Sequence, residues 1–148
     1  MNIANHLVRA GLAHGERPAV ARGGTVLLNY AQLADRAARI AGALRNRLGL
    51  ESGDRVGLAM KNCPEFLEAL YGCWHAGLVA VPINAKLHKT EFEYILENSE
   101  ARLCLTTSDL TETIASLQGG ALERVVEVGS RDYEGLFGTD PIPCETRA

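Results

Sequence analysis

Apolar side chains between positions 30 and 48 recur every third or fourth residue, at Leu33, Ala34, Ala37, Ile40, Ala41, Leu44 and Leu48. At about 100° per residue they fall within an arc of roughly 120°, the stripe of a helix lying on a core. Asp35, Arg39, Gly42 and Asn46 fall on the opposite side. Asn29 is placed to cap this helix, with Gln32 at its third position to complete a capping box, and Gly49 to stop it. A second predicted helix, 64–76, holds Phe66, Leu67, Ala69, Leu70, Tyr71, Cys73 and Trp74. It is apolar almost all round and is expected to be buried on more than one side. Asn62 is its expected cap, Pro64 falls in its first turn, and Gly77 ends it. Residues 90–99 set Phe92, Ile95 and Leu96 apart from Glu91, Glu93 and Glu97, which predicts a third amphipathic helix.

Shorter apolar runs lie between these helices. Residues 54–60 leave a turn at 51–53 and read as a strand. Residues 78–81 show no alternation, which suits a parallel strand covered on both faces, and Pro82 is expected to end it. Residues 101–105 and 125–128 read as two more strands, with a helix at 109–117 between them. Towards the N-terminus, 3–14 predicts a short amphipathic helix. The runs 19–21 and 25–28, separated by Arg22-Gly23-Gly24, predict a β-hairpin. After Gly129 the pattern fades, and 138–143 reads as a connecting segment. Strands alternating with helices from residue 30 onward give an α/β fold. It is a mostly parallel sheet with helices on both faces and right-handed crossovers, preceded by an N-terminal helix and a β-hairpin.

At 148 residues the chain is one domain or a piece of a larger one. No apolar run approaches the ~18 residues of a membrane span, and the first residues lack a secretory pattern. The expected location is therefore the cytoplasm, where Cys63, Cys73, Cys104 and Cys144 are reduced core thiols. They form no CxxC and no histidine stands at zinc spacing, so no metal site is expected. Aromatic residues are few and the only lysines are Lys61, Lys86 and Lys89, which argues against a nucleic-acid surface. Residues 1–60 carry a net charge of +4 and 61–148 a net charge of −7. Either these are solvated faces of opposite sign, or the acidic part faces another segment of a longer chain.

The usual nucleotide signatures are absent from the sequence: neither GxGxxG nor GxxxxGK[ST] occurs. Thr106-Thr107-Ser108 follows a strand but has no flanking Gly or Lys, so Ser108 or Asp109 is expected to be a helix cap. Gly129-Ser130-Arg131 lacks the second Gly of a nucleophile elbow. His6, His14, His75 and His88 are widely spaced, and His75, ending a buried helix, is placed to donate to free carbonyls.

Six short stretches, in order, resemble the N-terminal part of the acyl-CoA synthetases and other adenylate-forming ligases, the AMP-binding enzyme family. Arg17-Pro18-Ala19-Val20 resembles the family's "RPAV" strand, and Leu28-Asn29-Tyr30-Ala31-Gln32-Leu33 its "TYxEL" segment. Gly53-Asp54-Arg55-Val56 resembles "GDRV", and Asn62-Cys63-Pro64-Glu65-Phe66 resembles "NxxEF". The stretch from Gly77 to Asn84 resembles "GAVxVPxN", and that from Glu91 to Leu96 resembles "ELxYIL". The resemblance implies a two-step reaction. ATP and a carboxylic acid give an acyl-adenylate and pyrophosphate; a thiol, usually that of CoA, then takes the acyl group and AMP leaves. For the full-length enzyme it implies ATP, Mg²⁺ and CoA as cofactors and a small-molecule carboxylic acid as partner, with no nucleic acid and no membrane span; none of the cofactors is expected to bind tightly to this chain alone.

The family's phosphate loop, "SGTTGxPKG", does not occur in the 148 residues, nor do the later adenine- and Mg²⁺-contacting motifs or the lid with its catalytic lysine. Residues 1–140 are thus expected to be the N-terminal portion of the large adenylate-forming domain. Residues 141–148 are expected to lead toward the phosphate loop, and the chain alone is expected not to adenylate. No catalytic residue and no metal ligand is assigned in it. The resemblance places one cofactor-binding residue, Lys86 after the "PxN" turn, near the phosphates of CoA; a solvated loop lysine is the alternative. Other readings are a fragment of an aryl- or amino-acid-adenylating enzyme, or a stand-alone α/β binding or interaction module. Exposed strand edges suggest a homodimer.

Overall fold

The computed structural model describes residues 1–146. Helix α1 (Asn5–Ala13) leads into an antiparallel hairpin of β1 (Pro18–Arg22) and β2 (Thr25–Asn29), turned through Gly23 at a φ of +57°. Helix α2 (Tyr30–Gly42) starts where its sequence requires. The Asn29 side chain accepts from the Gln32 N–H and the Gln32 side chain accepts from the Asn29 N–H, the expected capping box. The last turns of the predicted helix widen into a π-helical turn (Ala43–Arg47), and Gly49, at a φ of +72°, ends the segment.

Four strands make the main sheet: β3 (Arg55–Ala59), β4 (Val79–Ile83), β5 (Leu103–Thr106) and β6 (Arg124–Glu127), all parallel, in the order β4-β3-β5-β6. Alternate side chains of the central strands serve opposite faces. Val56, Leu58, Leu103 and Leu105 pack against Ile40 and Leu44 and against Ala69 and Cys73 of α3 (Glu65–His75). Ala59 and Cys104 pack against Phe92 and Leu96 of α4 (Lys89–Ser99) and Ile114 of α5 (Thr111–Ala115). Each large side chain so buried stabilises the fold by about 1.5–3 kcal/mol. The α/β architecture with helices on both faces is therefore the one the alternation of strands and helices predicts.

Several local expectations are corrected. Gly42 is buried, not outward-facing: a Cβ there would overlap the carbonyl oxygen of Asp140, which crosses directly over it. Asn62 does not cap α3; Pro64 stands at the cap position with no side-chain bond, and the Phe66 N–H is taken by the Cys63 carbonyl. Pro82 lies inside β4 rather than ending it, opposite Leu58, and β4 is a partly exposed edge strand, where a missing N–H is tolerated. Neither Ser108 nor Asp109 caps α5, whose cap position is Leu110. Order also continues past Gly129. Helix α6 (Arg131–Gly135), capped by Ser130, and a 3₁₀ turn (Leu136–Gly138) follow.

Beyond that turn the chain runs as a strap over α2 and the end of α3. The Ile142 N–H donates to the Ala38 carbonyl, and the Glu145 N–H to the His75 carbonyl. Buried Asn2 donates from Nδ2 to the carbonyls of Trp74 and Glu145, so both chain ends meet at the C-terminus of α3.

Candidate functional site

Strands β3 and β4 end side by side, with Ala59 opposite Ile83. The loops that leave them diverge toward α3 and α4 and leave an open cleft of about 780 Å³. Open α/β sheets take ligands outside the carboxyl ends of their strands where the strand order reverses, here between β3 and β5, so this cleft lies one strand pair away from that point. Met60, Phe66 and Ile83 give this one apolar walls. Lys61 and Asn62 come from one loop, Asn84 and Lys86 from the other. The Asn84 Oδ1 accepts from the Lys86 N–H at 2.9 Å, a short turn that holds the backbone beneath the exposed Lys86.

On the other loop, the Lys61 N–H donates to Thr107 Oγ1 at 3.1 Å and its Nζ stands 3.2 Å from Asp109 Oδ2. The Asp109 carboxyl is held below the usual carboxylate range, first by a hydrogen bond from Thr107 and then by Lys61. Among the described residues no Asp or Glu lines the cleft, so it is cationic in the half of the sequence that is otherwise acidic. Such a cleft suits an anionic group joined to an apolar or aromatic body. Among the described residues its lining holds no Ser, Thr, Tyr, Cys, His, Asp or Glu.

Of the residues singled out by sequence, Lys86 lies in this cleft and the histidines do not. His75 is buried and its Nε2–H donates to the Ile142 carbonyl at 2.7 Å, so it serves the strap rather than its own helix. Burial holds its pKa below the ordinary value. All four cysteines are free thiols. Burial pushes Cys73 and Cys104 up to about 12, and raises Cys63 and Cys144 as well, so none is an activated nucleophile. No group of three His, Cys, Asp or Glu among the described residues is placed to hold a metal ion, and no described helix is long and apolar enough to cross a membrane.

Two features escaped the sequence reading. Lys61 stands just beyond β3 as Lys86 stands just beyond β4, a correspondence that matters only once those strands are neighbours. The other is a charged tie among three helices. Arg36 of α2 donates from Nε and NH2 to Glu68 of α3, whose carboxylate also accepts from the Tyr133 hydroxyl of α6. The Arg36 guanidinium lies 3.7 Å from the centre of the Phe137 ring.

The fold and its cleft define an open α/β domain with two lysines at the ends of neighbouring parallel strands. Residues 7–140 match the AMP-binding enzyme family, and the chain belongs to it. It is 43% identical over 107 residues to a feruloyl-CoA synthase of an Amycolatopsis species, a match covering 72% of this chain and 21% of that protein. A crotonobetaine/carnitine–CoA ligase of Shigella flexneri is 39% identical over 71 residues, covering 48% of this chain and 14% of the ligase. Among solved structures, a Mycobacterium tuberculosis fatty acyl CoA synthetase superposes with a TM-score of 0.83 at 27% identity, over 99% of this chain and 30% of that one. A benzoate CoA ligase of Burkholderia xenovorans LB400 shares the fold with a TM-score of 0.87 at 24% identity, over all of this chain and 31% of its own. The chain thus spans about a fifth of the length of the feruloyl-CoA synthase it matches.

Proposed function

We propose that the chain forms the N-terminal portion of the large domain of an AMP-forming acid–thiol ligase. The complete enzyme would activate a carboxylic acid with ATP as the acyl-adenylate and pass the acyl group to CoA. Residues 1–140 would be the domain portion and 141–148 the approach to the phosphate loop; Arg147 and Ala148 lie outside the described residues. The observation that carries this reading is the family match across 7–140, together with a cationic cleft at the strand ends where Lys86 is presented. Within that enzyme Lys86 would hold a phosphate of the CoA nucleotide, with Phe66 offering an apolar surface beside it. ATP and Mg²⁺ would be held by residues of the longer enzyme, since the phosphate-loop motif is not among these 148 residues. The names of the relatives make aryl and acyl acids the first substrates to try. The enzyme would work in the cytoplasm. Self-association through β4 or β6, the outer strands of the sheet, is a further proposal that light scattering decides; Pro82 blunts the β4 edge.

The test is calorimetric titration of the chain with CoA. Lys86→Ala is expected to weaken binding about fivefold, the scale of one exposed lysine–phosphate contact, and Lys86→Arg to retain or improve it through a forked contact. Equal affinity of the Ala variant and the unaltered chain would remove Lys86 from the site.

A further inference from the structure

Lys61 raises a question that Lys86 does not. Both line the cleft, but among the described residues Lys61 alone of the two has a counter-ion, and that counter-ion comes from outside the cleft lining, on the loop between β5 and α5. The Lys61 backbone is fixed by the bond from its N–H to Thr107 Oγ1, while its side chain remains 67% exposed. The root is therefore held and the long, flexible stem is free to turn. Asp109 would not be stranded if Lys61 left, because its side chain is one-third exposed to water.

We propose that Lys61 is a second anion-binding residue of the cleft and that Asp109 holds it while the cleft is empty, so that an arriving phosphate group takes Lys61 in exchange for that carboxylate. The inference rests on the reading of the cleft as the seat of a phosphorylated part of CoA. An exposed single-contact ion pair is weak and screened, so it is readily traded. A phosphomonoester carries up to two negative charges against the carboxylate's one and has more acceptor oxygens for the three ammonium donors. With no acidic lining residue among those described, the ligand meets two lysines and no repelling carboxylate within the cleft. Asp109 is then a negative determinant of affinity. It lowers the resting attraction of the cleft for anions and releases Lys61 only to a group that outcompetes it.

The experiment is calorimetric titration of the 148-residue chain with adenosine 3′,5′-bisphosphate at low ionic strength, using Lys61→Gln, Asp109→Asn, the double variant and Lys86→Gln. Asp109→Asn is expected to tighten binding about two- to fivefold, and Lys61→Gln to weaken it by a similar factor. In the Lys61→Gln background, Asp109→Asn is expected to change affinity by a factor near one. The Lys61 ¹³Cε resonance is expected to move on ligand addition, a signature that a merely structural lysine would lack. Unchanged affinity in Lys61→Gln would overturn the inference, as would an Asp109→Asn gain of the same size with and without Lys61. If Lys86→Gln weakens binding while Lys61→Gln does not, the cleft reading stands and the exchange alone falls. If the unaltered chain does not bind the bisphosphate, both fall.

Discussion

Glu68 keeps a carboxylate in a helix interface with 2% of its side chain exposed, and three groups make that tolerable. Arg36 supplies two N–H donors and the Tyr133 hydroxyl a third. The Tyr133 hydroxyl is itself held far above its ordinary pKa, by burial first and by Glu68 second, so it stays a donor at every ordinary pH. Glu68→Gln leaves the arginine without its charge partner and is expected to destabilise the chain by about 2–4 kcal/mol in urea denaturation. Tyr133→Phe removes one hydrogen bond and is expected to cost about 1–2 kcal/mol. A second residue-scale effect concerns His75. Its folded pKa is depressed by burial, and the Ile142 carbonyl offsets only part of this. The unfolded chain takes up that proton near pH ~6.5, the folded chain only at lower pH. Between those two values the unfolded state binds more protons, so stability rises with pH. It is fully present above the unfolded pKa and is lost as pH falls toward the folded one. The urea midpoint is therefore expected to drop between about pH 7.5 and pH 5.5, and His75→Gln is expected to flatten that drop.

At the scale of elements, α2 and α3 approach closely because Gly72 has no side chain. A Cβ there would lie 2.6 Å from Ile40 Cγ2 and 2.9 Å from Ile40 Cβ, atoms too near the backbone to swing aside. Gly72→Ala gains about 1 kcal/mol of helix propensity and meets an overlap costing about 1–3 kcal/mol. A net loss in thermal stability is expected, and Ile40→Ala, which removes the Cγ2 methyl that the new Cβ meets, is expected to cost less beside Gly72→Ala than it does alone. How well elements could be read beforehand follows from their length and surroundings. Helix α2 was legible because a long stripe and a capping box agree. Helix α6 was not: with five residues it never completes a second turn, and its only signals are Ser130 and the acids Asp132 and Glu134 behind it. β4 misled because its continuous apolar run resembles a central strand, whereas its place at the edge depends on which strands it joins. Asn62 misled because Pro64 lets the helix begin without a side-chain cap.

For the molecule as a whole, the strap from Thr139 to Glu145 closes the lobe by binding both α2 and the end of α3. Gly42→Ala would push against the Asp140 carbonyl and lift that strap. Hydrogen exchange at the Ile142 and Glu145 amides is expected to speed roughly tenfold or more, while exchange in β3 and β5 stays slow. The candidate site was legible only in part at this scale. Lys86 came from a resemblance to the "PxN" turn, and Lys61 was invisible because its neighbours are set by the strand order, not by local sequence. The chemistry of acid activation has no counterpart in the cleft, whose lining holds cations, amides and apolar walls. ATP–pyrophosphate exchange by the purified 148-residue chain, over a panel of aryl and acyl acids, tests that division of labour most directly. The account predicts no exchange above the rate without protein, from a chain that still binds CoA weakly and in a Lys86-dependent way; sustained exchange with any acid would contradict it.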